Sequence, residues 1–241
     1  MTVLVLAGTS EANALVSAMV LRGVDVVASL AGRTASPRPL PCPVRVGGFG
    51  GVDGLVSELR DRRIHALVDA THPFADEMPQ HAQVAAAIAG VAHLRLVRPG
   101  WVPGDGDSWT EVGDLTEAAG ALGPIGSRRA LLAVGRQELG PFRSLPDVAL
   151  VVRSVDEPPA GPWSGVLLGR GPFSFDQEHA VLTEHGIDTV VTRNSGGPRA
   201  KLDAARAAGV SVVMVRRPPE VVAPTVTDVD VAVEWILRCG R

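Results

Sequence analysis

The sequence predicts an α/β protein of two halves, each a parallel sheet flanked by helices, with a cleft between them. Short apolar runs such as residues 3–7 and 66–69 are typical of parallel strands that are buried on both faces. These runs alternate with segments of helical periodicity, which is typical of right-handed β-α-β crossovers. The alternation stops in a stretch rich in Gly, Pro and Asp at residues 99–114 and then begins again, which indicates two Rossmann-like halves.

In the first half the apolar runs predict strands at residues 3–7, 24–30, 44–46, 66–69 and 93–97. Between them, the helical spacing of apolar residues predicts helices at residues 11–22, 52–62 and 75–89. Gly23 is a suitable C-cap for the first helix. We therefore assign residues 1–100 to a first, dinucleotide-binding domain.

The second half repeats this pattern with strands at residues 130–134, 148–153, 165–168, 189–192 and 211–215. Helices are predicted at residues 176–185, 200–208 and 229–237. We assign residues 115–241 to a second α/β domain that contributes substrate-binding loops, and residues 101–114 to a linker.

Composition excludes several classes of function. The formal net charge is -3 and aromatic residues make up 4% of the 241 residues, so we expect no nucleic-acid partner. The two cysteines, Cys42 and Cys239, are too few and too distant for a metal site, and no apolar run is long enough to cross a membrane. We expect a cytoplasmic protein without a membrane partner; its oligomeric state stays open, with a monomer slightly favoured.

The first loop, Gly8-Thr9-Ser10-Glu11, lies between a predicted strand and a predicted helix. Gly8 permits close approach of a ligand, and the start of a helix offers N–H groups and a positive dipole to a phosphate. The loop has one glycine where the GxGxxG fingerprint has three. An N-capped turn without a ligand is therefore the alternative to a phosphate site.

The loop after the second strand is Gly32-Arg33-Thr34, near the place where a dinucleotide fold holds the adenosine ribose. It contains no carboxylate for a free ribose diol, whereas the Arg33 guanidinium can pair with a 2′-phosphate. This pattern favours NADPH over NADH and over S-adenosylmethionine, with a solvated arginine as the alternative.

Two further loops of the first half are candidate cofactor contacts. Gly48 and Phe49 belong to a five-residue run with four glycines, which indicates close approach to a ligand or a flexible loop. Thr71 and His72 follow the fourth strand, beside the expected nicotinamide position. His72 is a candidate catalytic residue there, and a structural cap is its alternative role.

In the second half, basic residues follow the ends of strands, where they suit a ligand with several carboxylates. The candidate substrate-binding residues are Arg136, Arg170, Gly171, Arg193, Ser195, Gly196 and Arg216. Lys201 is the only lysine among 23 basic residues, which indicates either a GC-rich genome or a need for a compact ammonium at that position. Lys201 and Ser195 are candidates for proton delivery.

Taken in order along the chain, these motifs resemble those of the precorrin-6A reductase family. The resemblance covers essentially the whole sequence and rests on Gly8-Thr9-Ser10-Glu11-Ala12, Gly32-Arg33-Thr34, Gly47-Gly48-Phe49-Gly50-Gly51, Asp69-Ala70-Thr71-His72-Pro73-Phe74-Ala75, Arg98-Pro99 with Trp101, Gly169-Arg170-Gly171-Pro172-Phe173, and Arg193-Asn194-Ser195-Gly196-Gly197 with Lys201. The departures are small. Ala7 stands where members often have a second glycine, and Arg193-Asn194 where they often have a lysine or an acidic residue.

The resemblance implies an NADPH-dependent oxidoreductase of cobalamin biosynthesis. Its substrate would be precorrin-6A, a tetrapyrrole with many carboxylates, and reduction of the C18=C19 double bond would give precorrin-6B. Three alternatives stay open: a cobalt-precorrin-6A reductase of the oxygen-independent route, a reductase of another polycarboxylate, and a non-catalytic tetrapyrrole carrier. No metal site in the protein is expected.

Overall fold

The computed structural model describes residues 1–32 and 37–240, and the chain divides into two compact units. One unit comprises Met1–Pro99 together with Pro218–Arg241, and the other comprises Gly100–Arg217. Each unit contains one six-stranded sheet in which every paired strand is parallel to its neighbours. Helices flank both sheets, which confirms the predicted α/β class with two Rossmann-like halves.

The elements up to residue 99 follow the expected strand–helix alternation. They are β1 (Thr2–Leu6), α1 (Ser10–Leu21), β2 (Asp25–Leu30), β3 (Val44–Val46), α2 (Gly51–Asp61), β4 (Ala66–Asp69), α3 (Met78–Ala89) and β5 (Ala92–Leu96). The strand at residues 44–46 and the strand at residues 66–69 have the predicted bounds. The third helix begins three residues later than predicted, because residues 75–77 form the end of a loop with Ala75 N–H bonded to the His72 carbonyl at 2.8 Å.

The remaining elements begin with a strand and end with a helix. They are β6 (Trp109–Val112), α4 (Leu115–Leu122), β7 (Arg129–Ala133), β8 (Ala149–Ser154), β9 (Trp163–Leu168), α5 (Phe175–Glu184), β10 (Thr189–Arg193), α6 (Ala200–Ala207), β11 (Ser211–Val215), β12 (Thr225–Val226) and α7 (Val229–Cys239). Two short 3-10 helices, Arg136–Glu138 and Gly140–Ser144, lie between β7 and β8. Along the two described ranges, no helix combines the length and apolar character needed to cross a membrane.

Five of the six strands follow the same order in the two sheets. The first is β3-β2-β1-β4-β5-β12, and the second, taken from the corresponding edge, is β9-β8-β7-β10-β11-β6. The first sheet matches the 3-2-1-4-5-6 order of doubly wound sheets that bind dinucleotides. In the second sheet β6, the edge strand beside β11, comes before the other five strands in the chain instead of after them. The order reverses between β1 and β4 in the first sheet and between β7 and β10 in the second. Ligands of such sheets bind at the carboxyl ends of the strands beside this reversal.

The sixth strand of each sheet differs from the expected domain organisation. The predicted linker contains β6, whose Trp109 pairs with Val212 of the second sheet. The end of the chain contains β12, whose Thr225 pairs with Arg95 of the first sheet, and α7 packs into the core of the first unit. Residues 101–114 are therefore part of the second unit, and residues from 218 onward belong to the first, rather than to the expected domain 115–241.

The core of the first unit has one layer on each face of the sheet. On one face Val3 and Val5 of β1 pack in a cluster with Leu15 of α1 and Ile236 of α7. On the other face Leu4 and Leu6 pack in a cluster with side chains of α2 and α3. Because side chains alternate along a strand, this two-sided burial explains the continuous apolar run of β1.

A close backbone contact in the first unit makes a sharp prediction about stability. A Cβ added at Gly54 of α2 would lie 1.7 Å from the Phe49 carbonyl oxygen, whereas a Cβ at Gly120 of α4 would meet nothing within 4 Å. We expect Gly54→Ala to destabilise the fold by about 1–3 kcal/mol. Gly120→Ala is the matched control and is expected to stabilise it by up to about 1 kcal/mol through helix propensity.

Urea unfolding of both variants measures these changes. Equal stability of Gly54→Ala and the unmodified protein would show that the loop before α2 can move away from the helix.

Candidate functional site

The first loop lies at the reversal point of the first sheet and is anchored to the loop that follows β4. Thr9 is the N-cap of α1: its hydroxyl oxygen accepts a hydrogen bond from Ala12 N–H at 3.1 Å and donates one to the Ala70 carbonyl at 3.0 Å. A Cβ added at Gly8 would lie 3.5 Å from the backbone nitrogen of His72. The N-capped turn that the sequence offered as an alternative is thus present. Gly8 and Ser10 are nevertheless exposed at the helix start.

The acidic residue of this loop is neutralised by an arginine from β5's exit. The Glu11 carboxylate accepts hydrogen bonds from the Ser10 hydroxyl at 3.1 Å and from Arg98 Nη1 at 3.2 Å. Arg98 Nη1 also lies 3.4 Å from the Ser10 hydroxyl oxygen. The pair thus compensates the negative charge of Glu11, which would otherwise oppose an anion at the positive end of α1.

The loop after β4 is held by a buried ion pair. Asp69 and Arg95 are 1% and 5% exposed, and Arg95 Nε donates to Asp69 Oδ2 at 3.0 Å. The other carboxylate oxygen of Asp69 accepts from the Thr71 N–H at 3.1 Å and from the Thr71 hydroxyl at 2.6 Å. These hydrogen bonds fix both the backbone and the side chain of Thr71. His93 lies on the same face of β5 as Arg95, and desolvation lowers its pKa and so favours its neutral form.

His72 lies beside Thr71 and also bonds within the loop. Its Nδ1 accepts a hydrogen bond from the Phe74 N–H at 3.2 Å, and the two rings have centroids 5.9 Å apart. This is the structural role that the sequence left as an alternative for His72. A direct catalytic role for His72 stays a prediction.

The glycine-rich loop before α2 is clamped by an arginine of β3. Arg45 donates to the carbonyls of Gly47 and Gly48 at 2.6 and 2.7 Å, and its guanidinium carbon lies 3.9 Å from the centre of the Phe49 ring. Arg45 thus contacts three successive residues of the loop, and close approach of a ligand to its glycines stays a prediction. In the loop after β2, three residues are predicted to contact the cofactor. Gly32 has φ +74°, in the left-handed region that favours glycine, and Arg33 and Thr34 lie outside the described residues.

In the second unit, the loops at the reversal point are joined by an ion pair. Arg193, at the end of β10, donates to Glu138 Oε1 at 2.6 Å, and Glu138 Oε2 accepts from the Gly135 N–H at 2.9 Å. Glu138 lies in the short helix that follows β7. The structure thus brings the predicted residue Arg193 next to the loop that contains Arg136.

Lys201 lies at the same edge of the second sheet. Its ammonium donates a hydrogen bond to the hydroxyl oxygen of the buried Thr192 at 3.1 Å and lies 5.9 Å from the centre of the Trp101 ring. Desolvation, reinforced by the guanidiniums of Arg153 and Arg193 and opposed by Glu178, lowers the pKa of Lys201 to about 8. Lys201 can therefore release a proton near neutral pH, as a general acid must.

A second buried ion pair supports Lys201. Arg153 of β8 donates to Glu178 of α5 at 2.6 Å, and their side chains are 10% and 4% exposed. The Arg153 guanidinium carbon also lies 4.8 Å from the centre of the Phe173 ring, in the loop that contains Arg170 and Gly171. This pair fixes the position of the Arg153 guanidinium, which acts electrostatically on Lys201 and contacts the loop after β9.

The other predicted substrate-binding residues lie along the carboxyl edge of the second sheet. Arg170 and Gly171 are exposed after β9, and Arg216 is exposed after β11. Strands in a sheet are about 4.8 Å apart, so residues four strands apart along the edge are separated by about 19 Å. These residues are therefore spread along the edge and do not converge on one point, a spacing that suits a large ligand with several carboxylates.

Ser195 and Gly196 begin the loop after β10. The Ser195 N–H donates to the Arg193 carbonyl at 2.7 Å, and Gly196 is buried with φ +69°. The preceding Asn194 exchanges two hydrogen bonds with the Trp101 backbone, at 2.7 and 2.9 Å. This exchange ties the loop to residue 101, but the structure assigns no proton-transfer role to Ser195, which stays a prediction.

Sequence reasoning missed the residues whose hydrogen bonds and ion pairs position the candidate site residues and their loops. They are Arg45, Arg95, Glu138, Arg153, Glu178 and Thr192. Arg95 and Arg153 interrupt apolar strands, which is a detectable signal because a charge inside a buried strand needs a partner. The partners Asp69 and Glu178 lie 26 and 25 positions away. No local pattern identifies them.

Together, the strand order and the two edges define an α/β protein with two Rossmann-like units, with an exposed helix start at the reversal point of one sheet and cations spread along the edge of the other. The profile of the family described as "Precorrin-6x reductase CbiJ/CobK" matches residues 2–237. The chain belongs to this family of reductases, as the motifs predicted.

Individual proteins show the same relationship. A "Precorrin-6A reductase" of Rhodococcus erythropolis is 45% identical over 240 residues, which cover 97% of this chain and 96% of that one. A solved structure of "CobK precorrin-6A reductase" has a TM-score of 0.94 and 38% identity, and covers 100% of this chain and 97% of its own. A "Cobalt-precorrin-6A reductase" of Priestia megaterium is 28% identical and covers 90% of each chain.

The buried pair beneath Lys201 makes a prediction. Glu178→Gln leaves the Arg153 guanidinium buried without its carboxylate, so we expect a loss of about 3 kcal/mol in the free energy of unfolding. Glu184→Gln, on the exposed end of the same helix, is the control and is expected to change it by less than about 0.5 kcal/mol. Denaturant unfolding of both variants distinguishes these outcomes, and equal effects would show that the Arg153–Glu178 pair contributes nothing.

Proposed function

We propose that this protein reduces the C18=C19 double bond of precorrin-6A with NADPH, giving precorrin-6B in cobalamin biosynthesis. The observation that carries the proposal is that one unit has an exposed helix start suited to an anion and that the other unit has a cation-rich strand edge. The names of the relatives at up to 45% identity support the choice of substrate.

The first unit fits a dinucleotide. Gly8 and Ser10 are exposed at the start of α1, where N–H groups without helical partners favour a pyrophosphate and Arg98 compensates the charge of Glu11. We assign the 2′-phosphate to Arg33, three positions beyond the end of β2, and further cofactor contacts to Gly32, Thr34, Gly48 and Phe49 and to Thr71 and His72. NADPH, when bound, supplies a hydride.

The second unit suits the substrate. Acetate and propionate carboxylates of precorrin-6A would pair with the guanidiniums spread along the strand edge, namely Arg136, Arg170, Arg193 and Arg216. The Arg193 guanidinium already bonds to Glu138, so its position is fixed before the substrate arrives. Fixed cations lower the ordering cost of binding.

Reduction of a double bond requires a hydride on one carbon and a proton on its neighbour. Lys201 is our candidate for the proton, because its ammonium is held by Thr192 and its pKa is lowered to about 8. Below that pH the side chain carries the proton that it must donate. After donation, the neutral amine is re-protonated from water.

The assay for the proposed function mixes the purified protein, precorrin-6A and NADPH, and follows NADPH absorbance together with the mass of the tetrapyrrole. We expect NADPH loss matched by a product two hydrogens heavier, a weaker reaction with NADH, and a weaker one with cobalt-precorrin-6A. An Arg33→Ala variant is expected to lose the preference for NADPH.

Binding of the tetrapyrrole without NADPH oxidation would instead identify a carrier. Faster reduction of the cobalt-containing substrate would assign the protein to the oxygen-independent route.

The assignment of Lys201 predicts a pH effect. Since the protonated amine is the acid, we expect kcat to fall as the pH rises through about 8, where the amine loses its proton. Lys201→Arg keeps the charge but not a releasable proton, so kcat is expected to fall about 100-fold or more with little change in KM. If Lys201→Arg retains kcat and the alkaline limb of the pH profile, the proton comes from another group.

A further inference from the structure

The hydroxyl of Thr71 has its hydrogen-bonding polarity fixed by its neighbour. A threonine hydroxyl carries one proton and two acceptor lone pairs, whereas a carboxylate can only accept. The Thr71 hydroxyl lies 2.6 Å from Asp69 Oδ1, so its one proton is donated to that oxygen. Toward any other group, the Thr71 oxygen can therefore act only as an acceptor.

The carboxylate that sets this polarity is itself immobile. Asp69 Oδ2 accepts from Arg95 Nε at 3.0 Å, and both side chains are almost fully buried. Oδ1 is held at the same time by the Thr71 N–H at 3.1 Å. Rotation of the carboxylate would break all three hydrogen bonds in a site that water does not reach, which is costly.

Thr71 also lies at the right place in the sheet to meet a cofactor. A Cβ added at Gly8 would lie 3.8 Å from the Thr71 Cα, so the two loops adjoin at the reversal between β1 and β4. Thr71 is partly accessible, unlike Asp69 beneath it. In this strand order the adenosine half of a dinucleotide lies over β2, which leaves the nicotinamide half for β4.

We propose that Thr71 accepts a hydrogen bond from the amino group of the nicotinamide carboxamide and thereby fixes which way the carboxamide points. The carboxamide offers one donor end, NH₂, and one acceptor end, the carbonyl. An acceptor-only hydroxyl selects the NH₂ end, so the carboxamide is held in one of its two orientations. This proposal rests on the proposed function, because it needs NADPH in the first unit.

The test uses an analogue that lacks the donor. In 3-acetylpyridine adenine dinucleotide phosphate a methyl group replaces the amino group, and the carbonyl is kept. Calorimetric titration of the whole protein with this analogue and with NADP⁺ gives a discrimination ratio. We expect the unmodified protein to prefer NADP⁺ about fivefold, equivalent to about 1 kcal/mol for one hydrogen bond.

Two variants locate that preference. Thr71→Val keeps the shape but removes the acceptor, and the ratio is expected to fall to about one. Thr71→Ser keeps the hydroxyl, and the ratio is expected to stay near fivefold. A ratio measured within each variant cancels any general weakening of binding, and thermal unfolding confirms that both variants are folded.

The outcomes separate this proposal from the one on which it rests. Absence of NADP⁺ binding to the unmodified protein overturns both. NADP⁺ binding with no discrimination, or with the same discrimination in Thr71→Val, overturns the role of Thr71 and leaves the NADPH assignment standing. Loss of the preference in Thr71→Val, with its retention in Thr71→Ser, supports the role.

Discussion

Parallel pairing on both edges of β1 is the constraint on which the candidate site of the first unit depends. Val3 pairs with Val26 of β2 on one side and with Ala66 of β4 on the other, so the strand cannot shift without breaking both ladders. Because crossovers in parallel sheets are right-handed, the chain leaves β1 and β4 toward opposite faces. Their loops therefore adjoin at the carboxyl edge and continue to opposite faces, which is the position where ligands of such sheets bind. The bond from Thr9 to the Ala70 carbonyl then fixes the distance between the loops.

The second unit repeats the order of five strands but places different groups at the reversal point. In the first unit the protein groups at the reversal point that could contact a ligand are backbone amides, hydroxyls and a helix start, which suit the compact charge of a pyrophosphate. In the second unit they are guanidiniums and an ammonium spread along the edge, which suit carboxylates at several points of a large molecule. Two acids support this edge: the partly buried Glu138 bonds to Arg193, and the buried Glu178 bonds to Arg153. The acids fix the cations in place while solvent-facing arginines supply further charge.

The sequence predicts those features whose cause is local. Central strands such as β4 are continuous apolar runs, and their bounds follow directly; loops at their ends are then the expected sites. The sixth strands were not predictable in this way, because β12 has only two residues and β6 lies in a stretch whose Gly, Pro and Asp content is typical of a linker. Each is stabilised by an edge formed by distant residues. The same is true of Arg95, whose partner Asp69 is identified only when β4 and β5 pair.

The single lysine shows how such distant contacts give a residue its chemistry. A GC-rich genome would account for arginine at 22 of the 23 basic positions, but it does not explain why position 201 is a lysine. A desolvated position next to Arg153 and Arg193 disfavours another positive charge, and only an amine can relieve that cost by losing its proton. An arginine there would stay charged at every physiological pH. The environment that makes Lys201 costly to keep protonated is thus the same one that makes it able to donate a proton.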